Sequence, residues 1–241
     1  TKMKLVIAEK PSVAKALCPV LGTTIKKNGY MQGNDYIVSW CFGHLVGMFM
    51  PNDYGEQWSG KWSFEQLPMF PQTWKFKINS GCNEQFKILK SLMNDRNVSE
   101  IICATDADRE GECIFRYVYK FSGCRKPVKR LWISSLEEKA IRDGMKKLKD
   151  SSEYDNLYQA GFCRAKADWL VGMNASRLFS VRYRIPLTLG RVQTPTLAMI
   201  VKRDNDVRNF IKQKYFTVDL NCGNFIAVSE RIDDEIKAQS I

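Results

Sequence analysis

The stretch Glu100–Tyr119, EIICATDADREGECIFRYVY, constrains the fold more than any other part of the chain. A continuous apolar run, Ile101-Ile102-Cys103-Ala104, stops at a turn carrying Asp106, Asp108 and Glu110. An apolar run that short, closed by a turn, predicts a strand buried on both faces of a parallel sheet. Beyond Gly111, Ile114, Phe115 and Val118 recur at helical spacing. The carboxylates therefore belong to a strand-to-helix turn at the carboxyl edge of a sheet, where open α/β folds hold their ligands. Acidic residues at a helix start also have an ordinary use, as caps and as partners of the helix dipole. Four within seven residues, counting Glu112, repel one another unless a cation offsets them, so a metal site is the stronger reading. Oxygen donors with no His or Cys among them suit a hard ion, Mg²⁺ before zinc.

The opening of the chain supplies a further carboxylate. Lys4-Leu5-Val6-Ile7-Ala8 is a second buried-strand run, and it ends in Glu9-Lys10-Pro11-Ser12. Ser12 is expected to cap a helix carrying Val13, Ala16 and Leu17. If the two strands are neighbours, Glu9 lands beside Asp106 and Asp108. The expected metal ligands are then Glu9, Asp106, Asp108 and Glu110, with Glu9 and Lys10 as catalytic groups for phosphoryl chemistry. The glycines of a phosphate-cradling P-loop are missing from EKPSVAK, which weakens a nucleotide-hydrolysis reading.

Charge points to the partner. Lys and Arg number 37 against 26 acidic residues, a net +11, which predicts nucleic acid before membrane. No apolar run approaches the ~20 residues of a membrane-spanning helix. The start has no apolar segment of a secretory signal, and Met3 is the expected natural start. Eight cysteines without a CxxC pair argue against a zinc ribbon and for a reducing, cytoplasmic setting. Trp40, Trp58, Trp62 and Trp74, in a Gly- and Pro-rich region, read as loop packing more readily than as base-stacking groups. The lone histidine, His44, is read either as a strand-end residue or as a phosphate contact. Ser135 is expected to open a capping box, and Asp150-Ser151-Ser152 to form a hinge. In LGRVQTPT, residues 189–196, Thr194 is expected as N-cap and Pro195 as the first helical residue. Gly190, Arg191 and Gln193 at that helix start suit a phosphate.

These segments resemble a known family. KLVIAEKPSVAKAL followed by ATDADREGE is similar to the Toprim domain of type IA DNA topoisomerases, nearest the topoisomerase III branch. RAKADWLVGMNASR and LTLGRVQTPTL resemble the helical domain with which that family grips single-stranded DNA. The resemblance implies an α/β fold: a Toprim-type parallel sheet flanked by helices over residues 3–135, a mainly helical domain over 136–212, and the start of a β-rich gate domain over 213–241. It assigns DNA-binding or site-supporting positions to Arg164, Asp168, Asn174, Arg177, Thr188, Arg191, Gln193 and Thr194. Asp168 is expected to orient an arginine, since phosphate repels a bare carboxylate. The implied activity is ATP-independent cleavage and religation of one strand through a 5′-phosphotyrosyl link, with Mg²⁺ as cofactor and a monomer as the working state. None of the nine tyrosines has the family's context for the nucleophile; Tyr183 lacks the threonine and precedes GRVQTPTL. The chain is therefore expected to bind single strands without relaxing DNA. A Toprim nuclease and a non-catalytic single-strand-binding module are the alternatives.

Overall fold

A computed structural model describes residues 2–241. They form two compact units, one ending at Arg191 and one spanning Val192–Ile241. The first opens with β1 (Met3–Ala8), α1 (Pro11–Val20), β2 (Ile25–Lys27), β3 (Tyr30–Gln32), β4 (Tyr36–Trp40) and β5 (Val46–Met48). It continues with β6 (Phe76–Ile78), α2 (Asn83–Asn94), β7 (Val98–Ala104), α3 (Arg109–Ser122) and β8 (Val128–Arg130). It closes with α4 (Glu138–Lys146), β9 (Lys149–Asp150) and α5 (Asp155–Tyr183).

Seven strands make the main sheet, in the order β2-β3-β4-β1-β7-β8-β9. The four central strands, β4, β1, β7 and β8, run parallel, whereas β2, β3 and β9 pair antiparallel. The expected parallel sheet is thus corrected to a mixed one. Only short turns separate β2, β3 and β4, and such turns permit hairpins but no crossover. The apolar runs of β1 and β7 are continuous because both of their faces are covered. Leu5, Ile7, Ile101 and Cys103 pack with residues of α2 and α3. Val6, Ala8, Ile102 and Ala104 pack on the other face with α1 and with Ile141 of α4.

In the first unit, two helix starts and the expected hinge differ from expectation. α1 begins at Pro11 with Lys10 at the N-cap, so Ser12 lies inside the first turn and caps nothing. α4 begins at Glu138, and Ser135 accepts only from the N–H of Glu137. Asp150 accepts from the N–H of Ser152 in a tight turn that leads into α5 within the same compact unit, so the expected hinge is a capped turn.

The long α5 is held by the loop before β6. Trp58, Met69 and Trp169 form a buried cluster that Tyr54 and Trp74 join. The indole N–H of Trp169 donates to the carbonyl of Phe49 at 2.8 Å. Trp58 and Trp74 thus pack the loop, as expected, while Trp62 is partly exposed and Trp40 ends β4 instead, packed on the sheet's core. Where α5 crosses α3, a Cβ on Gly161 would stand 2.7 Å from Cys113 Sγ and 2.8 Å from the Arg109 carbonyl oxygen. Gly161→Ala is accordingly expected to cost about 1–3 kcal/mol by overpacking, read as a shift in the urea midpoint.

The second unit contains α6 (Gln193–Arg208), the antiparallel pair β10 (Asp219–Asn221) and β11 (Ile226–Val228), and α7 (Glu235–Gln239). β10 and β11 form a short hairpin. α6 starts at Gln193 with Val192 at the N-cap, so Thr194 falls inside its first turn instead of capping it, and Pro195 is its third residue instead of its first. Among the described residues no helix is long and apolar enough to cross a membrane.

Candidate active site

β1 and β7 are paired parallel with Ala8 opposite Ala104, so Glu9 and Asp106 leave the sheet at the same edge. Glu9 Oε2 accepts from the N–H of Asp106 at 3.0 Å. Burial pushes the Glu9 carboxyl above its ordinary value. The Asp106 N–H opposes that shift, the charges of Asp106 and Asp108 add to it, and Lys10 again opposes it. One side chain thus feels the mutual repulsion that the sequence predicts for this cluster.

The other two carboxylates have local partners. Asp108 is the N-cap of α3, its Oδ1 accepting from the N–H of Gly111 at 2.7 Å. Glu110 Oε1 lies 2.5 Å from His44 Nε2. His44 therefore touches the acidic turn. Among the described residues no three His, Cys, Asp or Glu side chains converge as a ready-made metal cage. The expected ligands surround one turn without enclosing a point. Their chemistry fits a hard cation, because carboxylate oxygens are the only acidic donors and Glu9 is already strained by its neighbours. A cation drawing on Asp108 or Glu110 competes with the Gly111 N–H or with His44.

Glu112 belongs elsewhere. Its side chain is 1% exposed and receives Arg130 Nε at 2.6 Å and Arg116 Nε at 3.1 Å. The buried Arg130 also donates to the carbonyls of Thr105 at 2.8 Å, Asp106 at 2.6 Å and Leu131 at 2.9 Å. It thereby ties down the end of β7, where the acidic turn begins. Arg116 extends the network to Asp155 at the start of α5. Sequence reasoning missed this network. The available signals were a glutamate beside the apolar Cys113-Ile114-Phe115 and an arginine beside the apolar Leu131-Trp132-Ile133.

The α5 residues sort into two groups. Arg191 Nη1 reaches Asp168 Oδ1 at 2.6 Å, and Arg164 Nε lies 3.6 Å from the other carboxylate oxygen. Asp168 thus orients two arginines, as expected. Arg164 and Asp168 line a cavity of about 540 Å³ together with Glu110 and Trp169, which joins this cluster to the acidic turn. Arg177 and Asn174 face the other way. Arg177 is 3% exposed and donates to the Trp58 carbonyl at 2.8 Å. Asn174 bonds the backbone N–H and carbonyl of Met69. Both pack against the tryptophan loop, Arg177 buried and Asn174 half-buried. Thr188 is exposed on a strap whose neighbours, Leu187 and Leu189, are pinned by the hydroxyls of Ser180 and Ser176. Gln193 and Thr194 open α6 in the second unit.

Comparison with known proteins gives a consistent answer. Residues 4–136 match the family model described as Toprim domain, and residues 152–241 match the one described as DNA topoisomerase. A protein named DNA topoisomerase 3 from Staphylococcus epidermidis is 45% identical over 221 residues, which is 92% of this chain and 31% of that protein. Proteins of the same name from Shouchella clausii and Bacillus subtilis are 42% and 44% identical, covering 100% and 89% of this chain but only 34% and 29% of their own lengths. The chain thus spans about a third of the curated relatives it matches. The fold is similar to full-length topoisomerase I from Thermotoga maritima, with a TM-score of 0.63 at 22% identity over 98% of this chain and 37% of that one. With a Toprim domain over more than half its length and a DNA topoisomerase segment after it, the chain belongs to the Toprim-bearing DNA topoisomerase family.

Proposed function

We propose that the chain is the cation- and strand-binding part of an ATP-independent type IA DNA topoisomerase, with residues 3–135 as the metal-binding part, 136–212 as the single-strand-binding part and 213–241 opening the gate. One observation carries this reading: Glu9 meets Asp106 across neighbouring strands, while the adjoining cavity joins Glu110 to Arg164 and Asp168. When bound, Mg²⁺ supplies positive charge to the scissile phosphate. Glu9, held against the Asp106 N–H at the carboxyl edge, is placed to give a proton to the leaving 3′-oxygen. Lys10, exposed at the start of α1, offsets charge on the phosphorane-like transition state. Arg164 and Arg191, oriented by Asp168, hold phosphates of the strand. The nucleophilic tyrosine comes from another part of the protein and keeps the bond energy in a covalent link, so no ATP is consumed. Free cysteines throughout the described residues accord with a cytoplasmic setting.

Two measurements test the proposal. The chain is incubated with end-labelled single-stranded DNA and Mg²⁺, quenched with SDS, and run on native and denaturing gels. A native shift without cleavage is expected. Free cut ends would favour a Toprim nuclease, and a covalent adduct would place the nucleophile inside this chain. In parallel, the double variant Asp106→Asn with Asp108→Asn is titrated with Mn²⁺ by electron paramagnetic resonance. Asn remains a good N-cap, so the fold should persist while cation binding falls by at least about tenfold. Unchanged Mn²⁺ binding would leave only the non-catalytic binding module.

A further inference from the structure

Phe42 is 54% exposed just beyond the carboxyl end of β4, the strand beside β1. Its backbone is held on both sides. The N–H of Cys41 donates to the Ala8 carbonyl at 2.8 Å, and that of Gly43 donates to the Glu9 carbonyl at 3.1 Å. Cys41 is fully buried, and Gly43 turns the chain at φ +70°, a conformation that suits glycine. The ring thus stands in solvent on a fixed segment, bonded to the residue that carries the Glu9 carboxylate. No ring contact to Phe42 occurs among the described residues. By contrast, the partly exposed Trp132, which follows β8 at the same edge of the sheet, is stacked on Tyr154 with centroids 4.8 Å apart.

Single exposed apolar residues are ordinary on protein surfaces. Phe42 differs in its immobilised backbone and its position next to a carboxylate and lysine pair. An aromatic face on a rigid segment loses little entropy on contact and stacks with any base, since every base has a π-face. Adjacent strands lie about 4.8 Å apart, so a base on Phe42 and a phosphate at the Glu9–Lys10 turn would belong to the same or a neighbouring nucleotide.

We infer that Phe42 is a stacking platform for a nucleobase whose adjoining phosphodiester lies at the turn formed by Glu9, Lys10 and Asp106. This rests on the strand-binding reading above. It adds a contact that is indifferent to base identity but requires a base, and it sets the position of the strand at the acidic edge.

The test uses the chain with two labelled nine-nucleotide strands, one carrying all its bases and one entirely abasic, read by fluorescence anisotropy at a single salt concentration. Phe42→Ala is expected to weaken the base-bearing strand about fivefold or more. It should leave the abasic strand within about twofold, and Phe42→Trp should restore binding. An exposed site should leave the thermal midpoint of both variants unchanged. Equal weakening of both strands by Phe42→Ala, or weakening of neither, would overturn stacking and leave the strand-binding reading intact. Failure of the unsubstituted chain to bind either strand would overturn both.

Discussion

Arg130→Ala is expected to lower the unfolding free energy by about 3–5 kcal/mol, the usual cost of stranding one partner of a buried ion pair. Arg130 and Glu112 are each 1% exposed, and the guanidinium also serves the carbonyls of Thr105, Asp106 and Leu131. The substitution leaves a buried carboxylate short of its main partner and several acceptors without a donor. Arg116, at 3.1 Å, still holds one oxygen of Glu112, which caps the loss. Replacing both Glu112 and Arg130 with Ala should cost clearly less than the sum of the single changes, because the stranded charge disappears with its partner. Urea unfolding of the three variants measures this. A single-variant loss below about 1 kcal/mol would mean that water or another cation reaches Glu112.

Gly111→Ala is expected to reduce Mn²⁺ affinity by about 10–100-fold while costing about 1–3 kcal/mol of stability. A Cβ at this position would stand 2.2 Å from the Asp106 carbonyl oxygen and 3.0 Å from its nitrogen. Both are backbone atoms of the acidic turn, so no side-chain rotation relieves the clash. Gly111 also donates its N–H to Asp108 Oδ1 and accepts at its carbonyl from Thr105 Oγ1 at 2.8 Å. Any shift of Asp106 therefore propagates to Asp108 and to the N–H that Glu9 accepts. Spin-resonance titration with Mn²⁺ measures the affinity, and circular dichroism on the same samples separates local displacement from unfolding. An unchanged Mn²⁺ affinity in a folded variant would show that the turn tolerates the displacement and that cation binding does not depend on its shape.

The sequence was most readable where short-range pattern and burial coincide. The runs 5–8 and 101–104, just before the acidic edge, are apolar at every residue because β1 and β7 are covered on both faces, and that coverage made their pairing predictable. Asp168 was also legible, since an acid among arginines at one helical turn has few other uses. The helix starts were less so. Ser12 and Thr194 each sit beside a proline that itself takes the first turn, so the capping signal and the helix boundary separated by one or two residues.

Residues that act by facing inward were out of reach. Glu112 continues the alternate spacing of Asp106, Asp108 and Glu110, yet α3 turns it under the sheet edge toward Arg130. Arg177 and Asn174 lie on the same helix as Arg164 and in the same basic segment, but the tryptophan loop covers their side of α5. The role of Phe42 depends on backbone bonds to Ala8 and Glu9 from residues more than thirty positions away.

The amino-acid sequence alone determined the class of fold, the acidic edge of its sheet and the basic helix that follows, because hydrophobic period and charge are local properties of the chain. Tertiary structure alone decided which carboxylates face solvent and which arginines are buried. Those choices rest on which side of each helix another element happens to cover, and on partners such as Arg130, Trp58 and Met69 that are brought near only when the chain closes.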